Sequence, residues 1–342
     1  MTDLIELEDD LRAAAAGDVL RRDAGRIVLA VAEAGREIGG LLAAGALAQH
    51  PVAARANAAV LGALRAAPVR AATSAEMDGA VAFDAAAGLV AAVDPLDGSA
   101  NIDSNAPTGT IVSILPVPGG TTSDEAHFLQ PGARQIAAAF VLYGAQTALA
   151  LTLGDGTRVF TLDRASGRFL ARPEPLRIPP ETREFAANGS NWRHWDEPVR
   201  RYVTGCLMGA AGQRGVDFNM RWLGATVGEA FRILARGGVY LYPGDARPGF
   251  ERGRLRLVHA ANPIALLIEQ AGGLATDGRH RILDLVPQSL HQRVPLVFGS
   301  AREVECVRAA YDDGRGAAAH PLFTARTLFR GGAVPFGAAA CP

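Results

Sequence analysis

Apolar positions recur every three or four residues at Ile27, Val31, Ala34 and Ile38. That spacing is the stripe of an amphipathic helix. A second, alanine-rich helical stretch runs near Arg55 to Leu64. The period then changes. Short apolar runs at Gly88–Val93, Thr108–Leu115, Ile136–Tyr143, Thr147–Leu153 and Thr157–Leu162 predict strands. Asp155-Gly156, between the last two, is a hairpin signal. Asp163 to Gly167 makes another turn before a strand at Arg168–Ala171. This half reads as two helices and an antiparallel sheet.

Arg172 to Arg183 holds four prolines and reads as a linker. After it, Asp196 is placed to cap a helix with Val199, Tyr202, Val203, Cys206 and Leu207 inside. Val227, Ala230, Phe231 and Leu234 mark a further helix that stops at Gly237-Gly238. Val239 to Tyr242 is a short strand ended by Pro243. Asn262 and Pro263 form an N-cap and first-turn pair for a helix burying Ile264, Leu267, Ile268 and Ala271. Gly272-Gly273 stops that helix. Strand-like runs follow at Ile282–Val286 and Val294–Phe298. Helical and sheet segments in this order predict a layered α/β fold.

Composition narrows the function. A chain of 342 residues with 49% hydrophobic content can bury a large core. A net charge of −1 argues against nucleic acid as a partner. All 34 basic residues are arginine, which excludes Schiff-base lysine chemistry and a P-loop lysine. Phosphate contacts fall to arginine, hydroxyls or backbone N–H groups. The three cysteines show no C-x-x-C pair or zinc spacing. The first residues lack a signal-peptide pattern, and the apolar stretches are too short to span a membrane. A cytoplasmic protein with no membrane partner is predicted.

The strongest chemical signal is Val93-Asp94-Pro95-Leu96-Asp97-Gly98-Ser99-Ala100-Asn101-Ile102-Asp103. An apolar run ends in two carboxylates three residues apart. Pro95 biases Asp94 to an extended shape, so the run reads as a strand ending in a turn. Such a turn can aim Asp94, the Leu96 carbonyl and Asp97 at one point. Hard oxygens converging there suit Mg²⁺. Gly98 and Ser99 then offer N–H groups and a hydroxyl to a phosphate.

This string resembles the metal loop of the Mg²⁺-dependent, lithium-sensitive sugar phosphatases, and within them class 1 fructose-1,6-bisphosphatase. The resemblance continues in order through Gly109-Thr110-Ile111, Phe160 to Asp163, Gly237 to Pro243, Gly253 to Leu257, Asn262 to Ala265 and Leu290 to Pro295. It implies an α/β/α/β/α sandwich assembled as a homotetramer. Residues 1–178 would carry the N-terminal helices, the sheet and the metal loop. Residues 179–316 would form an α/β substrate-binding half, and 317–342 a tail. The implied reaction is Mg²⁺-dependent hydrolysis of the 1-phosphate of fructose 1,6-bisphosphate, in gluconeogenesis or the Calvin cycle.

The resemblance also assigns residues. Asp94, Leu96 and Asp97 match metal positions, Glu76 matches a residue near the attacking water, and Glu76 and Asp97 are the catalytic candidates. Asp97, Gly98, Ser99, Asn188, Tyr242 and Arg254 match substrate-binding positions, and Arg221 one that reaches a neighbouring subunit's phosphate site. Arg256 approaches the metal side.

The chain departs from the family pattern where Ala75 and Ala260 replace metal-binding glutamates. Ala53 stands near the place of an aspartate, and Ala100 replaces a serine. His259 and Asp78 are candidate substitutes for the missing ligands. Two other readings stay open. One is a catalytically impaired member acting as a sugar-phosphate-binding or regulatory subunit, favoured by the alanines. The other is an inositol-monophosphatase-type enzyme.

Overall fold

A computed structural model of the chain describes residues 4–45, 52–120 and 124–317. Three helices, α1 (Leu7–Ala14), α2 (Val19–Ala43) and α3 (Val52–Arg65), pack on one face of a large sheet. Asp18 caps α2 by accepting the N–H groups of Leu20 and Arg21 at 2.9 and 3.1 Å. The stripe of Ile27, Val31, Ala34 and Ile38 is buried, as its period predicts.

The sheet has nine strands: β1 (Ile5–Glu6), β2 (Ala71–Ser74), β3 (Ala80–Ala82), β4 (Leu89–Asp97), β5 (Thr108–Pro116), β6 (Ala137–Tyr143), β7 (Thr147–Thr152), β8 (Arg158–Asp163) and β9 (Arg168–Ala171). Their order is β1-β9-β8-β7-β6-β5-β4-β2-β3. The run from β4 to β9 is an antiparallel meander, as expected. The pairing of β2 with β4 is parallel, which departs from that expectation. Residues 83–88 carry the chain back past Val69 and Arg70 before β4 begins.

Side chains alternate along these strands. Ala137, Ala139 and Val141 of β6 join the core under the helices, whereas Ala138, Phe140 and Leu142 join a second core on the other face. Both faces are covered, so an antiparallel strand reads as an unbroken apolar run.

The second half adds α4 (Glu197–Met208), α5 (Thr226–Arg236), α6 (Asn262–Gln270) and α7 (Ala301–Ala317). Its strands are β10 (Glu184–Ala187), β11 (Asn219–Met220), β12 (Val239–Tyr242), β13 (Leu255–Arg256), β14 (Leu274–Thr276), β15 (Arg293–Val294) and β16 (Leu296–Gly299). Five of them form a sheet in the order β11-β10-β12-β16-β14, and β13 pairs with β15. Helices α5 and α6 fill the space between the two sheets, while α4 and α7 cover the outer face of the second. The result is an α/β/α/β/α sandwich. No helix among the described residues is long and apolar enough to cross a membrane.

Several local expectations are corrected. Leu207 is 64% exposed, because α4 turns that position outward. Asn262 caps nothing: residues Leu257–Ala261 form a π-helical turn that runs directly into α6. Its wider hydrogen-bond spacing tolerates the N–H missing from Pro263. The run Ile282–Val286 contains only a short 3₁₀ turn at Ile282–Asp284. Pro295 splits the last apolar run into β15 and β16, since it has no N–H for a ladder. The expected tail at 318–342 lies outside the described residues.

Candidate metal and phosphate site

Residues three apart in a regular strand face opposite sides of a sheet. Asp94 and Asp97 escape that rule. The ladder between β4 and β5 pairs Asp94 with Ile111 but Asp97 with Gly109. Pro95 and Leu96 therefore oppose Thr110 alone, which is a β-bulge. The extra residue brings Asp97 onto the same face as Asp94, while Leu96 packs into the core under the helices. The expected end of the strand before Pro95 is thus corrected: β4 continues through the bulge to Asp97. Asp94 closes the local turn by accepting the Leu96 N–H at 3.2 Å.

Asp97 is only 8% exposed. Its carboxylate accepts the N–H of Val227 at 2.9 Å, and the N–H and hydroxyl of Thr226. These are first-turn groups of α5, whose own Ala225 supplies no side-chain cap. Asp97 reaches across from the first sheet and does that work. Gly98 follows with φ +73°, and a Cβ there would sit 2.5 Å from that of Ala225. Glycine is what lets the loop close on the helix. Ser99 is exposed and opens the 3₁₀ turn Ser99–Ser104. The Asn101 amide donates to the carbonyls of Pro107 and Leu223 at 2.9 and 2.8 Å, tying the loop to the segment before α5.

Glu76 is exposed on the turn after β2, the parallel neighbour of β4. Its N–H bonds the Ser74 hydroxyl at 3.1 Å, and that hydroxyl donates to Asn57 at 2.6 Å. Burial pushes the Asp94 carboxyl up to about 7, with Asp97 and Glu76 adding repulsion against the Leu96 N–H and Arg256. Burial also raises Asp97, opposed by its bonds to α5. A compact acid pair of this kind fits one hard divalent cation that keeps several waters. Among the described residues, no group of three or more His, Cys, Asp or Glu side chains gathers as a metal cage. Ala75 and Ala260 contribute methyl groups, 4% and 2% exposed.

His259 does not join the acid pair. It is fully buried, with Nε2 3.4 Å from the Thr73 hydroxyl and its ring stacked on His291 at 5.4 Å. Burial, His291 and Arg256 hold it down to about 3, so it stays neutral.

The raised Asp94 has a consequence for stability. Between about pH 4 and 7 the folded, metal-free protein holds a proton that the unfolded chain has released. The associated stabilisation is complete below pH 4 and is lost as the pH rises through 7. A shift of this size is worth on the order of 2–4 kcal/mol. Melting curves of metal-free protein should show Asp94→Asn flattening the decline between pH 4.5 and 7.5. An unchanged decline would mean that Asp94 is not the group responsible.

Of the residues expected on the phosphate side, Asn188 and Tyr242 lie on the second sheet and Arg254 just ahead of β13. Asn188 follows β10 and Tyr242 ends β12; these strands are parallel, with Ala187 opposite Leu241, so the two residues sit at neighbouring carboxyl ends. Asn188 accepts the N–H and hydroxyl of Ser190 at 3.3 and 2.6 Å. Tyr242 packs edge-on against Trp222 at 5.9 Å, and Trp222 stacks on Tyr240 at 5.7 Å. The Arg254 guanidinium lies over the Phe250 ring at 3.7 Å and 3.9 Å from the Asp245 carboxylate. Arg221 is not brought to this group within the chain. It bonds Glu184 at 2.9 Å, which also takes Arg232 and Arg236.

Models of the fructose-1,6-bisphosphatase N-terminal and C-terminal domains match residues 39–174 and 178–312. The chain is 52% identical to the class 1 fructose-1,6-bisphosphatase of Acidiphilium cryptum, over 89% of this chain and 90% of that protein. It belongs to the class 1 fructose-1,6-bisphosphatase family. A class 1 member from Nitrobacter hamburgensis is 47% identical over 95% of this chain and 99% of its own length. The holo crystal structure of Leishmania major fructose-1,6-bisphosphatase matches with a TM-score of 0.84 at 28% identity. That match covers 91% of this chain and 100% of the other. Neither the inositol-monophosphatase-type reading nor that of a non-catalytic subunit gains support from these relatives.

Sequence reasoning missed Thr226, whose N–H and hydroxyl reach the Asp97 carboxylate. A threonine just ahead of the Val227 stripe was a usable helix-start signal.

Proposed function

We propose that this class 1 family member hydrolyses the 1-phosphate of fructose 1,6-bisphosphate, giving fructose 6-phosphate and phosphate, with Mg²⁺ as its metal. The observation that carries the reading is the bulge that sets Asp94 and Asp97 on one face, beside Arg256 and Glu76. Asp94, the Leu96 carbonyl and Asp97 would hold the ion. When bound, Mg²⁺ polarises the phosphate and lowers the pKa of a water. Glu76 orients that water and takes its proton. Gly98 N–H and the Ser99 hydroxyl hold the 1-phosphate. The water oxygen bonds to phosphorus as the bond to the C1 oxygen breaks, and the C1 oxygen takes up the proton that Glu76 received, returned through solvent. Asn188, Tyr242 and Arg254 hold the distal phosphate.

In a homotetramer, Arg221 would be lent to a neighbour's site. Residues 1–178 would then supply the metal and 179–316 the sugar phosphate, in a cytoplasmic setting such as gluconeogenesis or the Calvin cycle. The sparse carboxylate set makes turnover slow and metal demand high.

A phosphate-release assay across fructose 1,6-bisphosphate, sedoheptulose 1,7-bisphosphate and inositol monophosphates, with Mg²⁺ and Mn²⁺ titrated, tests the reading. Sugar-bisphosphate turnover that a chelator abolishes is expected. Preference for inositol phosphates, or no turnover at any metal concentration, would overturn it.

A further inference from the structure

The bulge in β4 raises a hydrogen-bonding problem. A bulged residue stands outside the regular ladder. Pro95 has no N–H, and its carbonyl is buried, where an unmatched acceptor is costly. The Thr110 hydroxyl donates to that carbonyl at 2.9 Å. Thr110 Oγ1 also lies 2.7 Å from the Tyr143 hydroxyl. A carbonyl can only accept, so the single Thr110 proton goes to Pro95. Tyr143 must then donate to Thr110. Both residues are buried, Thr110 completely. Tyr143 packs in the core under the helices, close to Gly39 of α2. Thr110 pairs with Val141 of that same core, so both lie on the sheet face opposite Asp94 and Asp97. Burial raises the Tyr143 hydroxyl well above its ordinary range, so it remains a donor across the physiological span.

We propose that Thr110 and Tyr143 are positioning residues for the metal-binding carboxylates. They touch neither substrate nor ion. They hold the Pro95 carbonyl, and the bulge held in this way keeps Asp94 and Asp97 on one face. The inference rests on the reading of that pair as the metal site. It adds a lock on the opposite face of the sheet, built from two hydroxyls.

Thr110→Val keeps the shape and removes the donor. Thr110→Ser keeps the donor. Tyr143→Phe removes only the outer link. Mn²⁺ affinity is read by calorimetry on full-length protein, alongside the Mg²⁺ needed for half-maximal phosphate release, the substrate KM and the melting temperature. Thr110→Val should weaken Mn²⁺ binding and raise the Mg²⁺ requirement by about tenfold or more, the lower range for outer partners of metal ligands. Substrate KM should move less. Thr110→Ser should stay within about threefold of wild type, and Tyr143→Phe should fall between the two. A lowered melting temperature with unchanged Mn²⁺ affinity in Thr110→Val would overturn the lock, as would a serine variant no better than valine. If Thr110→Val does not fold, Tyr143→Phe decides: wild-type metal affinity there refutes the proposal. Wild-type protein that takes up no Mn²⁺ at millimolar concentration overturns the metal reading itself, and the lock with it.

Discussion

Asp97→Asn is expected to remove Mg²⁺-dependent phosphate release, lowering kcat/KM by at least about a hundredfold. Losing an outer partner of a metal ligand already costs 10–100-fold, and here the charge of a proposed ligand itself is lost. The fold should survive. The asparagine side chain still presents an oxygen to the Val227 N–H, and asparagine is as good a helix cap as aspartate. Removing a carboxylate that burial holds above its ordinary range also relieves a desolvation cost. The melting temperature of the metal-free variant should therefore stay near that of wild type or rise. Turnover at the wild-type rate with unchanged Mg²⁺ dependence would show that the loop is not the metal site.

The double substitution Ala75→Glu with Ala260→Glu should act in the opposite direction. Ala75 bonds its N–H to the Val93 carbonyl at 2.9 Å, one residue from Asp94, and Ala260 sits on the π-helical turn before α6. Each new carboxylate adds a charge and an oxygen to a set that now has few. We expect kcat to rise at least about tenfold and the Mg²⁺ half-saturation to fall by a similar factor. Arg254, Asn188 and Tyr242 are untouched, so KM should change less than kcat. Both positions are buried methyls in wild type, so the glutamates need their cation. The metal-free variant should melt several degrees lower and recover with Mg²⁺. A wild type already running at full rate in modest Mg²⁺ would refute the account of a sparse site. No gain from the double variant would move the deficit towards Ala53.

The parts of this molecule that could be read from its sequence are those where one short-range rule decides the outcome. The meander from β4 to β9 was legible because both sheet faces are covered, which leaves plain apolar runs broken by Asp155-Gly156 and Asp163 to Gly167. The helix after Asp196 was legible because its cap is local. Strands β10, β13 and β14 were missed because each is held by neighbours far along the chain and is only two to four residues long. The α6 start was misread because Asn262-Pro263 has the chemistry of a cap, and only the packed π-helical turn overrides it.

In the site, the acid pair was visible as a string, but its geometry was not. Period-two logic places Asp94 and Asp97 on opposite faces, and the bulge that reverses this depends on pairing with β5. The bond from Asp97 to Val227 spans 130 positions, beyond the reach of any local pattern.

The middle helical layer belongs to neither half alone. Helices α5 and α6 come from residues after the proline-rich linker, yet Ile111, Phe140 and Leu142 of the first sheet rely on the same core. Asp97, from before the linker, supplies the donor-hungry start of α5 with its acceptor. A scissor cut through residues 172–183 would strip the first sheet of the cover on one face and leave α5 uncapped. The linker is a seam in the sequence without being a seam in the protein. Neither half is a portable module, and grafting a new second half onto the Asp94–Asp97 loop would require carrying the inner helices along with it.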